Sequence, residues 1–356
     1  MTPHYPNDVK RLFLILTLLT AVTALRAENN IKIKPTWGVD FDAVFDNREG
    51  SNRYTDTKTF LFTSLAPEIG LRFGTAGRIA GGVVWNQPVG SGWKEYHLEP
   101  TLYFRRDGSE ARSPWSFSMG MFPRRQLTEE MPGFLWSDSL AYHQRNIRGL
   151  LVQYRRPSGF AEAYVDWRGM QSRTQREAFN IVVHTRWHPR HGNPLFIGGY
   201  AMMNHFALQK DAPADQHIVD NFVVHPYAGV NLQGRTPLDS LILRAGPLLT
   251  LERNRASGND WKTPLGAWME LCAEWRWLGL KNTFYAGGRQ QPSYIPFRSD
   301  LYQGEPFYQA KLYNRTDVYA NVLRSRYVTL RAGLDFHVTP DAFTFYQRVV
   351  LAVTLP

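Results

Sequence analysis

From Val328 onward, apolar and polar side chains alternate almost without a break. Val328, Leu330, Ala332, Leu334, Phe336 and Val338 share one parity; Thr329, Arg331, Gly333, Asp335 and His337 share the other. After the turn Thr339-Pro340-Asp341-Ala342 the pattern returns. Phe343, Phe345, Val349, Leu351, Val353 and Leu355 fall on one face, with Gln347 as its polar member. A strand sends successive side chains to opposite faces, so these segments predict strands that are apolar on one side and mostly polar on the other. The same alternation recurs upstream. In 32–46, Trp37, Val39, Phe41, Ala43 and Phe45 oppose Gly38, Asp40, Asp42, Val44 and Asp46. In 262–277, Ala267, Met269, Leu271 and Ala273 oppose Trp268, Glu270, Cys272 and Glu274.

Read for period two, residues 28–356 divide into about sixteen strands separated by turn residues. They are 32–46, 58–73, 78–87, 93–105, 114–124, 141–155, 160–169 and 176–188, then 194–209, 220–233, 239–253, 262–277, 280–289, 307–323, 327–338 and 343–355. Connections after odd-numbered strands are mostly long and polar, whereas those after even-numbered strands are mostly tight, such as Gly74-Thr75-Ala76-Gly77 and Arg156-Pro157-Ser158-Gly159. Two depart from the rule: 339–342 is short and 106–113 is long. Outer-membrane barrels pair short periplasmic turns with longer extracellular loops. In hydrocarbon an open sheet edge leaves backbone groups unsatisfied, so a spanning sheet must close. The expected fold is all-β: one transmembrane antiparallel up-and-down barrel over 28–356, wide enough at sixteen strands to hold water.

The start of the chain supplies the address. Residues 1–27 carry Lys10 and Arg11, an apolar run from Leu12 to Leu25, and small Ala27 before Glu28. That is the layout of a secretory signal peptide, with cleavage after Ala24 or Ala27. At about 14 residues the run is short for a spanning helix. With 11 Trp and 17 Tyr the chain is rich in the residues that settle at membrane interfaces. The formal charge of +10 loses three cations and one anion with the signal peptide. An exported basic chain suits lipopolysaccharide or anionic solutes, not nucleic acid. Cys272 is the sole cysteine, so no intrachain disulfide forms.

Taking the apolar face as outward, the inward face carries both signs. Pore-lining candidates on it are Glu162, Asp166, Arg168, Arg244, Glu270, Glu274, Arg276, Arg331, Asp335 and Arg348. Charged lumens serve water access and ion selectivity. An inward arginine such as Arg348 should tolerate leucine far better than lipid-facing Leu351 tolerates arginine. The connection Pro123 to Leu140 adds Arg124, Arg125, Glu129, Glu130 and Asp138, together with apolar Phe134, Leu135 and Trp136.

On this pattern the chain resembles the Gram-negative outer-membrane porins, whose third extracellular loop folds into the barrel and narrows it. The resemblance implies that Arg124, Arg125, Glu129, Glu130 and Asp138 set a transverse field at a constriction. It also implies association as a homotrimer. Met119-Gly120-Met121-Phe122-Pro123-Arg124 and Ala163-Tyr164-Val165-Asp166-Trp167 are similar to uncharacterised porin-like barrels of the Bacteroidetes type. Many such barrels end in an aromatic residue, and this chain ends Thr354-Leu355-Pro356.

Other chemistry finds little support in local spacing. His184 and His188 on one strand stand about 13 Å apart, too far to share a metal. Glu270 and Glu274 are as widely spaced, against a glycosidase pair. No phosphate-cradling loop, paired-cysteine motif or serine elbow occurs. The expectation is therefore no cofactor, no metal, no catalytic residues and no enzymatic activity. Passive passage of small polar or anionic solutes is the leading function. The alternative is a non-conducting barrel that binds or helps assemble surface polysaccharide, using Tyr285, Tyr294, Phe297, Tyr302, Phe307 and Tyr308. An outer-membrane hydrolase stands behind both.

Overall fold

The computed structural model describes residues 32–356 apart from 93–94, 109–112 and 259. The expected signal peptide, 1–27, lies outside the described residues. The strands are β1 (Ile33–Glu49), β2 (Lys58–Phe73), β3 (Gly77–Pro88), β4 (His97–Arg106) and β5 (Trp115–Pro123). They continue as β6 (Asn146–Arg156), β7 (Gly159–Gly169), β8 (Ala178–Trp187), β9 (Leu195–Phe206) and β10 (Val219–Asn231). The last six are β11 (Ser240–Asn254), β12 (Leu265–Trp275), β13 (Leu278–Gly287), β14 (Leu312–Arg324), β15 (Val328–Thr339) and β16 (Ala342–Leu355). Each strand pairs antiparallel with its sequence neighbours, and β1 pairs with β16 from Val39↔Leu355 to Glu49↔Phe345. The barrel is closed, with no free edge among the described strands.

The alternation decides which face meets which solvent. Trp37, Ile69, Leu102, Met119 and Ile197 stand exposed on the outer surface, while Asp40, Ser118, Glu162, Glu270 and Asp335 are buried on the inner one. An apolar belt of this extent on a soluble protein would drive aggregation; in a bilayer it is the lipid contact. Trp115, Trp275, Trp277 and Tyr327 lie exposed near the short-turn end, a girdle at the height of one membrane interface.

Two strands begin later than their alternation suggests. Of the segment 141–155, residues up to His143 belong to helix α1 (Asp138–His143), whose cap residue Ser137 accepts a hydrogen bond from the Leu140 amide. A serine cap followed by an aspartate in the first turn stabilises a helix start, and that local chemistry outweighs a chance period of two. Of 307–323, the first residues form a single 3-10 turn, Pro306–Gln309. Both differences fall where a long loop turns into the lumen. The other long inward loop carries helix α2 (Tyr294–Leu301), broken at Arg298.

Candidate functional site

The lumen is crossed by the loop between β5 and β6, and side chains from around the barrel hold it. At its root Arg124 pairs with Asp166 of β7 at 2.5 Å and lies over the Trp136 ring. Arg125 reaches Asp40 of β1 at 2.7 Å, and Arg145 reaches Asp42 at 2.5 Å. Farther along, the Thr128 amide and hydroxyl both donate to Glu162, and Glu129 meets Arg186 of β8 at 2.6 Å. At the tip, Asp138 lies 2.8 Å from both Arg315 of β14 and Arg348 of β16. The loop is thus tied to walls on opposite sides of the barrel. Its apolar residues are the reason it stays inside: Phe134, Leu135 and Trp136 are buried. Phe134 meets Tyr200, His225, Trp268 and Tyr308 edge-on, at ring-centroid distances of 5.2–6.1 Å.

The second inward loop, between β13 and β14, docks on the first through backbone hydrogen bonds. The Ser137 amide donates to the Gln303 carbonyl and the Glu305 amide to the Gly133 carbonyl, each at 2.7 Å; the Asp138 amide donates to the Glu305 carboxylate at 2.8 Å. Phe307 stacks on His337 and Tyr313, and Tyr308 accepts from the Trp268 indole. Tyr285, Tyr302, Phe307 and Tyr308 are therefore interior packing, not an exposed glycan platform or a membrane girdle. From the sequence these aromatics suggest a girdle first and a glycan surface second; interior packing depends on the loop folding inward, which local pattern does not encode.

The two loops meet so closely at Gly304 that any side chain there would overlap the Phe134 carbonyl. Backbone cannot yield as a flexible side chain can. Gly304→Ala is expected to cost about 1–3 kcal/mol, as other overpacked sites do, and to lower the unfolding midpoint of the refolded barrel. An unchanged midpoint would show that the loops separate freely.

The junction also contains two carboxyls with opposite behaviour. Burial pushes Asp138 upward, but Arg315 and Arg348 more than offset it and hold this carboxyl well below its usual range. Glu305 is raised from 4.5 to about 7, first by burial and then by the negative charge of Asp138. A carboxyl whose folded pKa is raised favours the folded state while protonated, and that contribution disappears as pH rises through the folded value. Docking of the loops should therefore weaken between about pH 4.5 and somewhat above 7. Glu305→Gln and the wild type should unfold alike near pH 4.5, with the variant increasingly the more stable above pH 7. A gap that closes with rising pH would have the wrong sign.

Most of the sequence candidates gather around these loops. Besides those already placed, Glu130 lines the lumen beside Arg124 and Arg125. Arg244 pairs with Glu270 at 2.6 Å, and Asp335 with Arg348 at 2.5 Å. Arg168 lies at the upper end of β7 against Asn204. Three others lie toward the short-turn end, away from the loops. Glu274 meets Arg324 and Tyr319, Arg331 lies over Tyr319, and Arg276 occupies the β12–β13 turn over Trp275. Asp40, Arg186 and Arg315, which strand parity places on the inner face, also belong to the site, as do Glu305, expected only beside the loop aromatics, and Arg145, which nothing in the sequence singles out. Arg348 also needs correction as a position that tolerates leucine. It is not a solvated wall residue, because it shares Asp138 and Asp335 with Arg315.

Open space includes two cavities on the β1–β9 side of the lumen and a third, about 820 Å³, at the long-loop mouth beside Asn52, Lys262, Arg289 and Arg298. One cavity of about 590 Å³ runs between the first loop and β1–β6, from Asp40 and Glu68 to Arg145 and Asn146. A second, about 490 Å³, lies at the long-loop end of β6–β9. Gln144 and Asn146 line both.

Solved structures with the same architecture are outer-membrane porins. An anion-selective porin from Comamonas acidovorans superposes with a TM-score of 0.53 at 9% identity, covering 92% of this chain and 100% of that one. Salmonella typhi OmpF, solved with daunomycin, gives 0.52 at 8% identity, covering 91% and 98%. OprD of Pseudomonas aeruginosa gives 0.51 at 8%, covering 90% and 94%. At such identities the likeness concerns the fold alone, a closed porin-type barrel. No curated protein matches the chain.

The family comparison overturns one expectation. The profile that matches is that of a deacylase family, so the expectation of no enzymatic activity is not upheld. Local spacing cannot test for such activity, because a barrel can bring side chains of distant strands together without any sequence motif. The match runs from 36 to 354, nearly the whole barrel, and the chain belongs to the lipid A 3'-O-deacylase-type family.

Proposed function

We propose that the barrel passes small polar solutes across the outer membrane along the β1–β9 side of its lumen. The observation that carries this reading is the pair of charged cavities, about 590 and 490 Å³, that share Gln144 and Asn146 in their linings. The opposite half of the lumen is filled by the aromatic cluster around Phe134, Trp268 and Tyr308. Ion pairs such as Arg125–Asp40 and Arg124–Asp166 supply fixed charges of both signs along the open side, the arrangement that selects among hydrated solutes by charge and size. In planar bilayers the refolded protein should give steady ohmic steps. Silence from barrels whose folding is verified by heat-dependent electrophoretic mobility would reject the proposal.

A second reading has its own support: ester hydrolysis on a lipid A-type glycolipid, the activity for which the family is named. A groove of about 420 Å³ on the lipid-facing side, beside the β3–β4 connection, is lined by Phe41, Leu65, Trp85 and Val89. Its chemistry suits an acyl chain lying against the barrel. Mass spectrometry of lipid A vesicles incubated with the folded protein tests this, fatty-acid release being the expected product. Vesicles recovered intact would reject the hydrolase reading and leave conductance untouched.

A further inference from the structure

The second cavity holds two guanidinium groups, Arg168 and Arg176, that no carboxylate meets at ion-pair distance, although Asp300 stands near both and Asp166 near Arg168. Its wall is built from the upper end of β7, the β7–β8 and β9–β10 connections, and the end of α2. Arg168 is the extra residue of a β-bulge, where the β7–β8 register shifts between Trp167 and Gly169. Bulges re-aim side chains in this way. Its Nη1 donates to the Asp300 carbonyl at 2.8 Å and its Nη2 to the Asn204 side-chain oxygen at 2.6 Å, leaving Nε without a partner. Arg176 donates to the Ala207 carbonyl at 2.6 Å and to the His217 carbonyl, with its plane 4.0 Å over the Phe206 ring.

Most luminal arginines elsewhere differ, Arg155, held by the Thr128 hydroxyl and the Gln126 carbonyl, being an exception. Arg124, Arg125, Arg145, Arg244, Arg315 and Arg348 each have a carboxylate within 4 Å. Within the cavity Asp166 is already held by Arg124 at 2.5 Å, and Asp300 attracts both arginines from beyond contact distance. Leaving a half-buried cation without a counter-ion is costly unless something supplies the charge. A guanidinium offers five N–H donors in a planar fork that matches an oxyanion. The rest of the lining is rich in carboxamides, including Gln175, Gln209, Gln216 and Gln303. Amides both donate and accept, the complement of sugar hydroxyls.

We propose that this cavity is a recognition site for a hydroxylated organic anion of the sugar-acid class, with Arg168 and Arg176 taking the carboxylate and the amides taking the hydroxyls. The site lies on the solute path proposed above. Its test does not depend on conduction, so the two ideas can fail separately.

Calorimetric titration of the refolded full barrel with glucuronate, glucose and inorganic phosphate tests it. Glucuronate should bind at least tenfold more tightly than either of the others. Arg168→Gln combined with Arg176→Gln should remove that preference, while Arg326→Gln, at the β14–β15 turn over Tyr327, should preserve it. Glucose binding as tightly as glucuronate would show that the cations are not used. Equal binding of phosphate would reduce the site to a general anion site and overturn the sugar-acid assignment. No binding of glucuronate by the wild type would also overturn it, and that comparison stands even if the double variant fails to fold. A barrel that binds glucuronate yet conducts nothing would refute only the channel.

Discussion

Replacing Asp138 by alanine is expected to release the tip of the β5–β6 loop and widen the lumen. Asp138 is the loop's joint anchor to β14 and β16, 2.8 Å from Arg315 and from Arg348. Removing one member of a buried ion pair typically costs about 3–5 kcal/mol, largely because the other charge is left unpaired. Here the cost should fall near about 3 kcal/mol, the low end, because both arginines keep Asp335 and Arg315 also keeps Asp317. The barrel wall therefore survives while the loop loses its hold. Single-channel conductance should rise above the wild-type level, and trypsin should cut the loop faster. Asp138→Asn should reproduce most of the effect, because the charge holds the arginines. Conductance and cleavage identical to wild type would mean that the aromatic contacts of Phe134 hold the loop alone.

The second large effect concerns the outer face. Val349 lies near the middle of β16, between Phe45 of β1 and Ala332 of β15, with its side chain toward lipid. An arginine at mid-membrane on the lipid face of a barrel costs about 2–4 kcal/mol, falling toward the interfaces. Val349→Arg also lies at the β1–β16 seam, which closes the barrel last in chain order. Its expected result is a strong loss of the heat-resistant folded species on refolding into vesicles. Thr344→Arg would be a poor control, because that side chain is buried and bonds to the Glu49 carbonyl. Thr329→Arg, exposed on the inner parity near the short-turn end, is the better one and should fold normally. If both variants assembled equally well, the assignment of lipid and water to the two faces would be wrong.

The residues of the site show where sequence reading stopped. Arg124 and Asp166 were both candidates, yet nothing in their spacing says that they meet. Asp138 and Arg348 stand 210 residues apart and touch. Glu305 stands in the sequence among aromatics that suggest a glycan-binding surface, yet it connects the two loops that fill the lumen. The missed helix at 138–143 had a readable signal, Ser137 followed by an acidic first turn, which the apparent alternation of 141–155 obscured. The expectation of no enzymatic activity rested in the same way on missing local motifs, which say nothing of side chains that distant strands bring together.

The sequence by itself determined the wall. A period of two is a local property, and each strand's choice of face follows from its own residues and the solvents available to it. Closure follows because hydrocarbon leaves no unpaired edge unpunished. The interior was decided only by the tertiary structure. Which loops turn inward, which ion pairs they complete and which arginines are left without a carboxylate in contact depend on contacts between distant strands. Those contacts are set by how much aromatic surface the loops can bury inside a barrel wider than its own side chains can fill.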